Sequence, residues 1–114
     1  MRVLVCGDRH WTDARKVWAR MSTLPSDTTV VEGDCSGADR LGAACATRLG
    51  IPVEAYPADW QRYGRAAGPV RNQQMLDTGI DLVLAFHSNL AASKGTADMV
   101  RRARLAGVMV EVVT

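Results

Sequence analysis

The sequence predicts an α/β fold: a single Rossmann-like, three-layer domain over residues 1–114, on a five-stranded parallel sheet, with 3-2-1-4-5 as the natural strand order. Three observations predict it. Apolar, β-branched stretches recur at a steady interval, amphipathic helical patterns fill the gaps between them, and residues of unusual chemistry gather at one end of those stretches only.

The apolar stretches lie near Val3–Cys6, Thr29–Val31, Val53–Tyr56, Asp81–Phe86 and Val108–Val112. They start roughly 25 to 30 residues apart, the length of one βα unit. The first, second and fourth are almost wholly apolar, as strands covered on both faces must be. Between them, Val17, Trp18, Met21 and Leu24 share one helical face, which places Trp18 in the core. Ala38, Leu41, Cys45 and Leu49 form a second such face, and Met99, Val100, Ala103 and Ala106 a fourth. The third helix, near 70–79, is less periodic. Gly50 and Gly107 fall where a helix must stop and a strand begin, a position that suits left-handed backbone. Strands alternating with helices give a parallel sheet covered on both sides. Right-handed crossovers then force a reversal of winding between strands 1 and 4, and ligands bind at such switch points.

Composition narrows the function classes. Of 114 residues, 47% are hydrophobic and 23% charged, the balance of an ordinary globular domain. No apolar run reaches the roughly 18 to 20 residues of a membrane helix. Met1 to Cys6 reads as a strand rather than a leader, and no membrane association is expected. The net charge of +2 and scattered arginines show no basic stripe for nucleic acid. Cys6, Cys35 and Cys45 are odd in number and lack CxxC spacing, so neither a disulfide framework nor a zinc site is expected. A reduced, cytoplasmic setting follows as the default, with no metal and no cofactor. Weakly amphipathic helices around so small a sheet suit a homodimer or higher homo-oligomer.

The chemistry-bearing residues follow strands 1 to 4. Gly7, Arg9, His10 and Trp11 follow the first. Glu32, Gly33, Asp34, Cys35, Ser36, Gly37 and Asp39 follow the second. Trp60 and the run Gly68-Pro69-Val70-Arg71-Asn72 follow the third, and His87 with Ser93, Gly95, Thr96 and Asp98 the fourth. Loops at the opposite end are short and plain. Gly33 and Gly37 allow close backbone approach, and a helix N-terminus behind them offers N–H groups to an anion. Ser36 can cap that helix and Asp39 can complete a capping box. Ser93, Gly95 and Thr96 repeat the arrangement at the fourth helix. Arg9 and Arg71 suit phosphate oxygens, which guanidinium groups bind in pairs. Asn72 suits either a ribose or base contact or a cap on the third helix. Trp11 and Trp60 can stack on a base, the alternative for each being packing beneath a loop; for Trp60 packing is the preferred reading. His10 and His87 flank the same end without a third residue at metal spacing.

These blocks resemble the SLOG superfamily, in its small standalone YspA-like branch. The resemblance rests on Gly7-x-Arg9-x-Trp11, on Gly33-x-x-x-Gly37-Ala38-Asp39, on Gly68-Pro69-x-Arg71-Asn72-x-x-Met75, and on Gly95-Thr96-Ala97-Asp98-Met99. It implies a Rossmann-like fold and a phosphate-bearing, nucleotide-derived ligand such as an ADP-ribose-like molecule, a cyclic signalling nucleotide or a nucleoside phosphate. The ligand set expected is Gly7, Arg9, Trp11, Gly33, Ser36, Gly37, Asp39, Arg71, Asn72, Ser93, Gly95 and Thr96. The superfamily also includes the Lonely Guy phosphoribohydrolases, whose Gly-Thr-x-x-Glu motif would place a catalytic acid at Met99. Methionine transfers no proton, so binding as a sensor or sequestering protein is expected ahead of N-glycosidic hydrolysis. Asp98, Glu32 and Asp34 remain the carboxylates that hydrolysis could use. The DNA-processing protein DprA belongs to the same superfamily, but the charge pattern here does not support DNA binding.

Overall fold

The computed structural model describes residues 1–114. Its strands are β1 (Arg2–Gly7), β2 (Thr29–Glu32), β3 (Val53–Ala55), β4 (Leu82–Phe86) and β5 (Met109–Val113). Its helices are α1 (Ala14–Met21), α2 (Ala38–Arg48), the one-turn α3 (Trp60–Tyr63), α4 (Ala67–Asp77) and α5 (Gly95–Leu105). Short 3₁₀ turns at Gly64–Ala66 and Leu90–Ala92 precede α4 and α5. The sheet is parallel throughout, in the expected order β3-β2-β1-β4-β5.

Successive strand side chains point to opposite faces, and the core divides accordingly. Val3, Val5, Val30, Leu84 and Phe86 face Val17 and Met21 of α1 and Ala38 and Ala46 of α2. Leu4, Cys6, Val31, Val83 and Ala85 face Met75 and Leu76 of α4 and Met99, Val100 and Ala103 of α5. All five residues of β4 are buried, which is why its sequence is a continuous apolar run. β1 and β4 pair directly in parallel, from Val3–Leu82 to Gly7–Phe86. The chain enters α2 on one face from β2 and α5 on the other from β4, so the loops part above β1 and β4.

Two elements depart from the sequence reading. Trp18 is 40% exposed, not core. Val17 and Met21 form the buried stripe of this eight-residue helix, and Trp18, one residue and about 100° further round, turns outward, where the Arg48 guanidinium lies 5.7 Å from its ring. The third long helix starts at Ala67, three residues before the predicted onset. Pro69 sits in its first turn, where a missing N–H breaks no helical bond. Gly50 and Gly107 have φ of 75° and 76°, the left-handed geometry their positions call for.

Candidate functional site

A cleft of about 660 Å³ opens beyond the carboxyl ends of β1 and β4, at the switch point. Its walls are the β1–α1 loop, the start of α2 with Cys35, the α3–α4 segment, and the loop into α5.

At the end of β1, Asp8 N donates to Phe86 O at 2.9 Å, and Asp8 O accepts from Trp11 N and Ala38 N, both at 3.1 Å. These bonds tie the β1–α1 loop to β4 and to α2. Gly7 belongs to the packing here, since a Cβ would run into Phe86 O and the Ala38 side chain. Arg9 and His10 project, exposed, along the cleft. Trp11 does not. Its ring packs on Phe86 with centroids 5.9 Å apart, and its indole N–H donates to Asp13 O at 3.0 Å.

The β2–α2 loop is held by protein groups. Asp39 is not part of a capping box; its Oδ2 accepts from Gly33 N at 3.1 Å and Cys35 N at 3.3 Å, reaching back to brace the loop. Ser36 does not cap α2 either, because its hydroxyl donates to Arg9 O at 3.2 Å. Gly37, with φ of 77°, packs against the backbone of Asp8 and Arg9, where any side chain would collide. Ala38 N is spent on Asp8 O, so the α2 terminus is partly satisfied from within. Gly33, Ser36 and Gly37 therefore lie behind the cleft wall, whereas Asp39 lines the cleft.

Arg71 is buried on α4. Its Nη1 donates to Gly33 O at 2.6 Å and its Nε to Asn72 Oδ1 at 3.1 Å, while Nη2 lies 3.8 Å from Cys35 Sγ. Asn72 caps nothing. It is buried within α4, and its Nδ2 donates to Gly95 O at 3.3 Å and Asp98 Oδ2 at 3.0 Å. This adjacent pair thus joins three walls of the cleft, and both residues line it.

At the fourth wall, Ser93 Oγ accepts from Thr96 N at 3.0 Å. Gly95 and Ala97, also in the first turn of α5, find no internal acceptor for their N–H groups. Ser93, Lys94, Gly95 and Thr96 all line the cleft. A Cβ on Gly95 would meet nothing within 4 Å, unlike those on Gly7, Gly33 and Gly37.

The acids that line the cleft are Asp8, Asp39 and Asp98. Burial lifts the Asp39 carboxyl to about 7; the nearby Glu32 carboxylate adds to this, and the Cys35 and Gly33 amides and Arg71 oppose it. Burial also raises Glu32. For Asp98, burial would raise the carboxyl, but hydrogen bonds from Asn72, Arg102 and Arg101 prevail and hold it below the usual range. Asp8 accepts from His10 N at 2.9 Å. Glu32 and Asp34 do not line the cleft; the Asp34 amide donates to Glu32. Burial pushes the Cys6 thiol up, so Cys6 is not a thiolate nucleophile. No group of three His, Cys, Asp or Glu stands close enough to hold a metal.

Two lining residues, Arg65 and Lys94, were not singled out from sequence, and a third was read differently. Trp60, preferred there as a packing residue, is 60% exposed and lines the cleft. Arg65 and Lys94 line it as well. Lys94, between Ser93 and Gly95, sits inside a recognisable block. Arg65 lies in a 3₁₀ turn that no periodicity marks.

A doubly wound α/β domain with a cleft at its switch point defines a Rossmann-like protein. More narrowly, the chain belongs to the YspA, cpYpsA-related SLOG family, whose model matches residues 1–63. It is also similar to the Gene 61 protein of Mycobacterium phage D29, at 35% identity over 118 residues, covering 96% of this chain and 93% of the phage protein. No solved structure matches the chain. No helix is long and apolar enough to cross a membrane.

Proposed function

We propose that the protein binds a phosphate-bearing, nucleotide-derived small molecule in the switch-point cleft and acts as a sensor or sequestering protein. The observation that carries this reading is that Arg9, Arg65 and Lys94 line one cleft, yet none of them joins an ion pair. The other cleft arginine, Arg71, is spent on carbonyl and amide oxygens. Uncommitted cations beside free amides at the start of α5 suit phosphate oxygens. Family membership points the same way, to nucleotide-related ligand binding or processing.

The test is a panel of nucleoside monophosphates, ADP-ribose and cyclic nucleotides, read by thermal shift and by chromatography of the recovered ligand. A ligand at 100 times its dissociation constant stabilises the fold by about 2.7 kcal/mol. Intact ligand recovered after denaturation supports binding alone. If every ligand fails to raise the melting temperature, the nucleotide reading is lost.

One observation favours a second reading, N-glycosidic hydrolysis. Asp39 is only 5% exposed, lines the cleft, and has its carboxyl raised to about 7, within the range of a general acid. Met99 is buried in the cleft floor where the hydrolase motif would carry Glu. Release of free base over many turnovers, abolished by Asp39→Asn, would establish this reading in place of the first.

A further inference from the structure

Trp60 is unlike the other two tryptophans. Trp11 is committed to Phe86 and Asp13, and Trp18 lies under Arg48 on the outer side of α1. Trp60 joins neither core cluster and is 60% exposed, although tryptophan ordinarily hides most of its large area. It is the only Trp, Tyr or Phe that lines the cleft.

Its position is built rather than incidental. Asp59 Oδ1 accepts from Arg62 N at 3.1 Å and so caps the single turn of α3 that carries Trp60. The rim of the indole lies over Gly68, in the first turn of α4: a Cβ added there would stand 3.8 Å from Trp60 Cη2, an ordinary contact distance. One edge of the ring therefore lies beside the start of α4 while more than half of the side chain stays exposed. Arg65, three residues before Gly68, lines the cleft without an acidic partner. Twelve of the other 21 lining residues carry polar or charged side chains.

From this placement we infer that the open face of Trp60 is the platform on which an aromatic ring of the ligand, a nucleobase, stacks. The inference rests on the nucleotide reading above and deepens it. Phosphate is held by the cations and the α5 amides; the base is held separately, by a π-surface at the α3–α4 wall. Stacking of this kind tolerates any base, since every base has a π-face, so it selects nucleotides over sugar phosphates more than one base over another.

The experiment compares adenosine 5′-monophosphate with ribose 5-phosphate by calorimetry, on the wild-type chain and on Trp60→Ala. In the wild type the nucleotide is expected to bind about tenfold tighter, equivalent to about 1.4 kcal/mol. Trp60→Ala is expected to erase that preference while leaving ribose 5-phosphate affinity unchanged. Should Trp60→Ala lower the melting temperature, Trp60→Phe and Trp60→Leu carry the test: the phenyl ring retains the preference for the nucleotide and the leucine loses it. If both probes bind but Trp60→Ala leaves the preference intact, or weakens both equally, stacking on Trp60 is excluded while the phosphate-binding cleft stands. If neither probe nor any member of the wider panel binds the wild type, the nucleotide reading falls and this inference with it.

Discussion

The guanidinium of Arg71 occupies the space that a side chain on Gly33 would need. Nη1 donates to Gly33 O at 2.6 Å, and a Cβ built on Gly33 would overlap the same nitrogen. The two residues are 38 positions apart, one on α4 and the other in the β2–α2 loop behind the cleft wall, so each is explained by the other. The glycine leaves room for an arginine that holds the β2–α2 loop against α4.

Removing that arginine is expected to cost stability. Arg71→Ala strips a charged donor from Gly33 O and from Asn72, and should lower the unfolding free energy by about 2 to 3 kcal/mol. Urea denaturation measures it. An unchanged midpoint together with lost ligand affinity would show instead that Arg71 serves the ligand alone.

Two glycine variants should separate folding from binding. Gly37→Val meets both a left-handed backbone and the carbonyl region of Asp8 and Arg9, so it should fail to fold stably. A Cβ on Gly95 finds no neighbouring side chain or loop within 4 Å, so Gly95→Val should fold normally, while its side chain narrows the anion site. Melting curves and phosphate titrations of the pair check both outcomes. Normal folding of Gly37→Val would show that the Asp8–Arg9 backbone does not confine this position.

The free cations should matter to the ligand and not to the fold. Arg9→Gln and Lys94→Gln break no ion pair within the protein. Each should weaken a nucleoside monophosphate about tenfold and lessen the salt dependence of binding, with the melting temperature unchanged. Titrations at two salt concentrations read both effects, and equal affinity in all three proteins would remove these residues from the site.

Stability should fall as pH rises toward neutrality. Asp39 has its carboxyl raised from 3.8 to about 7, so across that interval the native state holds a proton that the unfolded chain has released. Its contribution is greatest below the lower value and is lost as pH passes the upper one. Glu32, also raised, acts in the same direction. Asp98, lowered, acts oppositely: its contribution is lost only as pH falls through its depressed range. Melting temperatures taken from about pH 5 to about pH 8 should decline in the wild type and flatten in Asp39→Asn. The amide suits this test because its oxygen can still accept from the Gly33 and Cys35 amides. A wild-type profile that rises over the same range would show Asp39 to be ionised throughout.

Sequence alone determined the sheet order and the end of the sheet where the cleft lies. Period-two and period-3.6 apolar patterns report which residues are covered, and the handedness of parallel crossovers turns five strands into few arrangements. The family was legible too, from four short blocks at known offsets. The tertiary structure decided what each residue in those blocks does. Trp11 and Trp60 each follow a strand, yet one turns to Phe86 and the other stays open at the cleft, because the first has Phe86 of the sheet within reach and the second is carried outward by the one-turn helix α3, beside Gly68. Asp39 reads as a capping acid or a ligand contact and proves to brace its own preceding loop. Asn72 reads as a cap or a ligand contact and proves to join α4 to α5 through Gly95 and Asp98. In each case the deciding partner lies on another segment or depends on where the local backbone aims the side chain. A pattern of spacing records burial along one chain segment and carries no information about either.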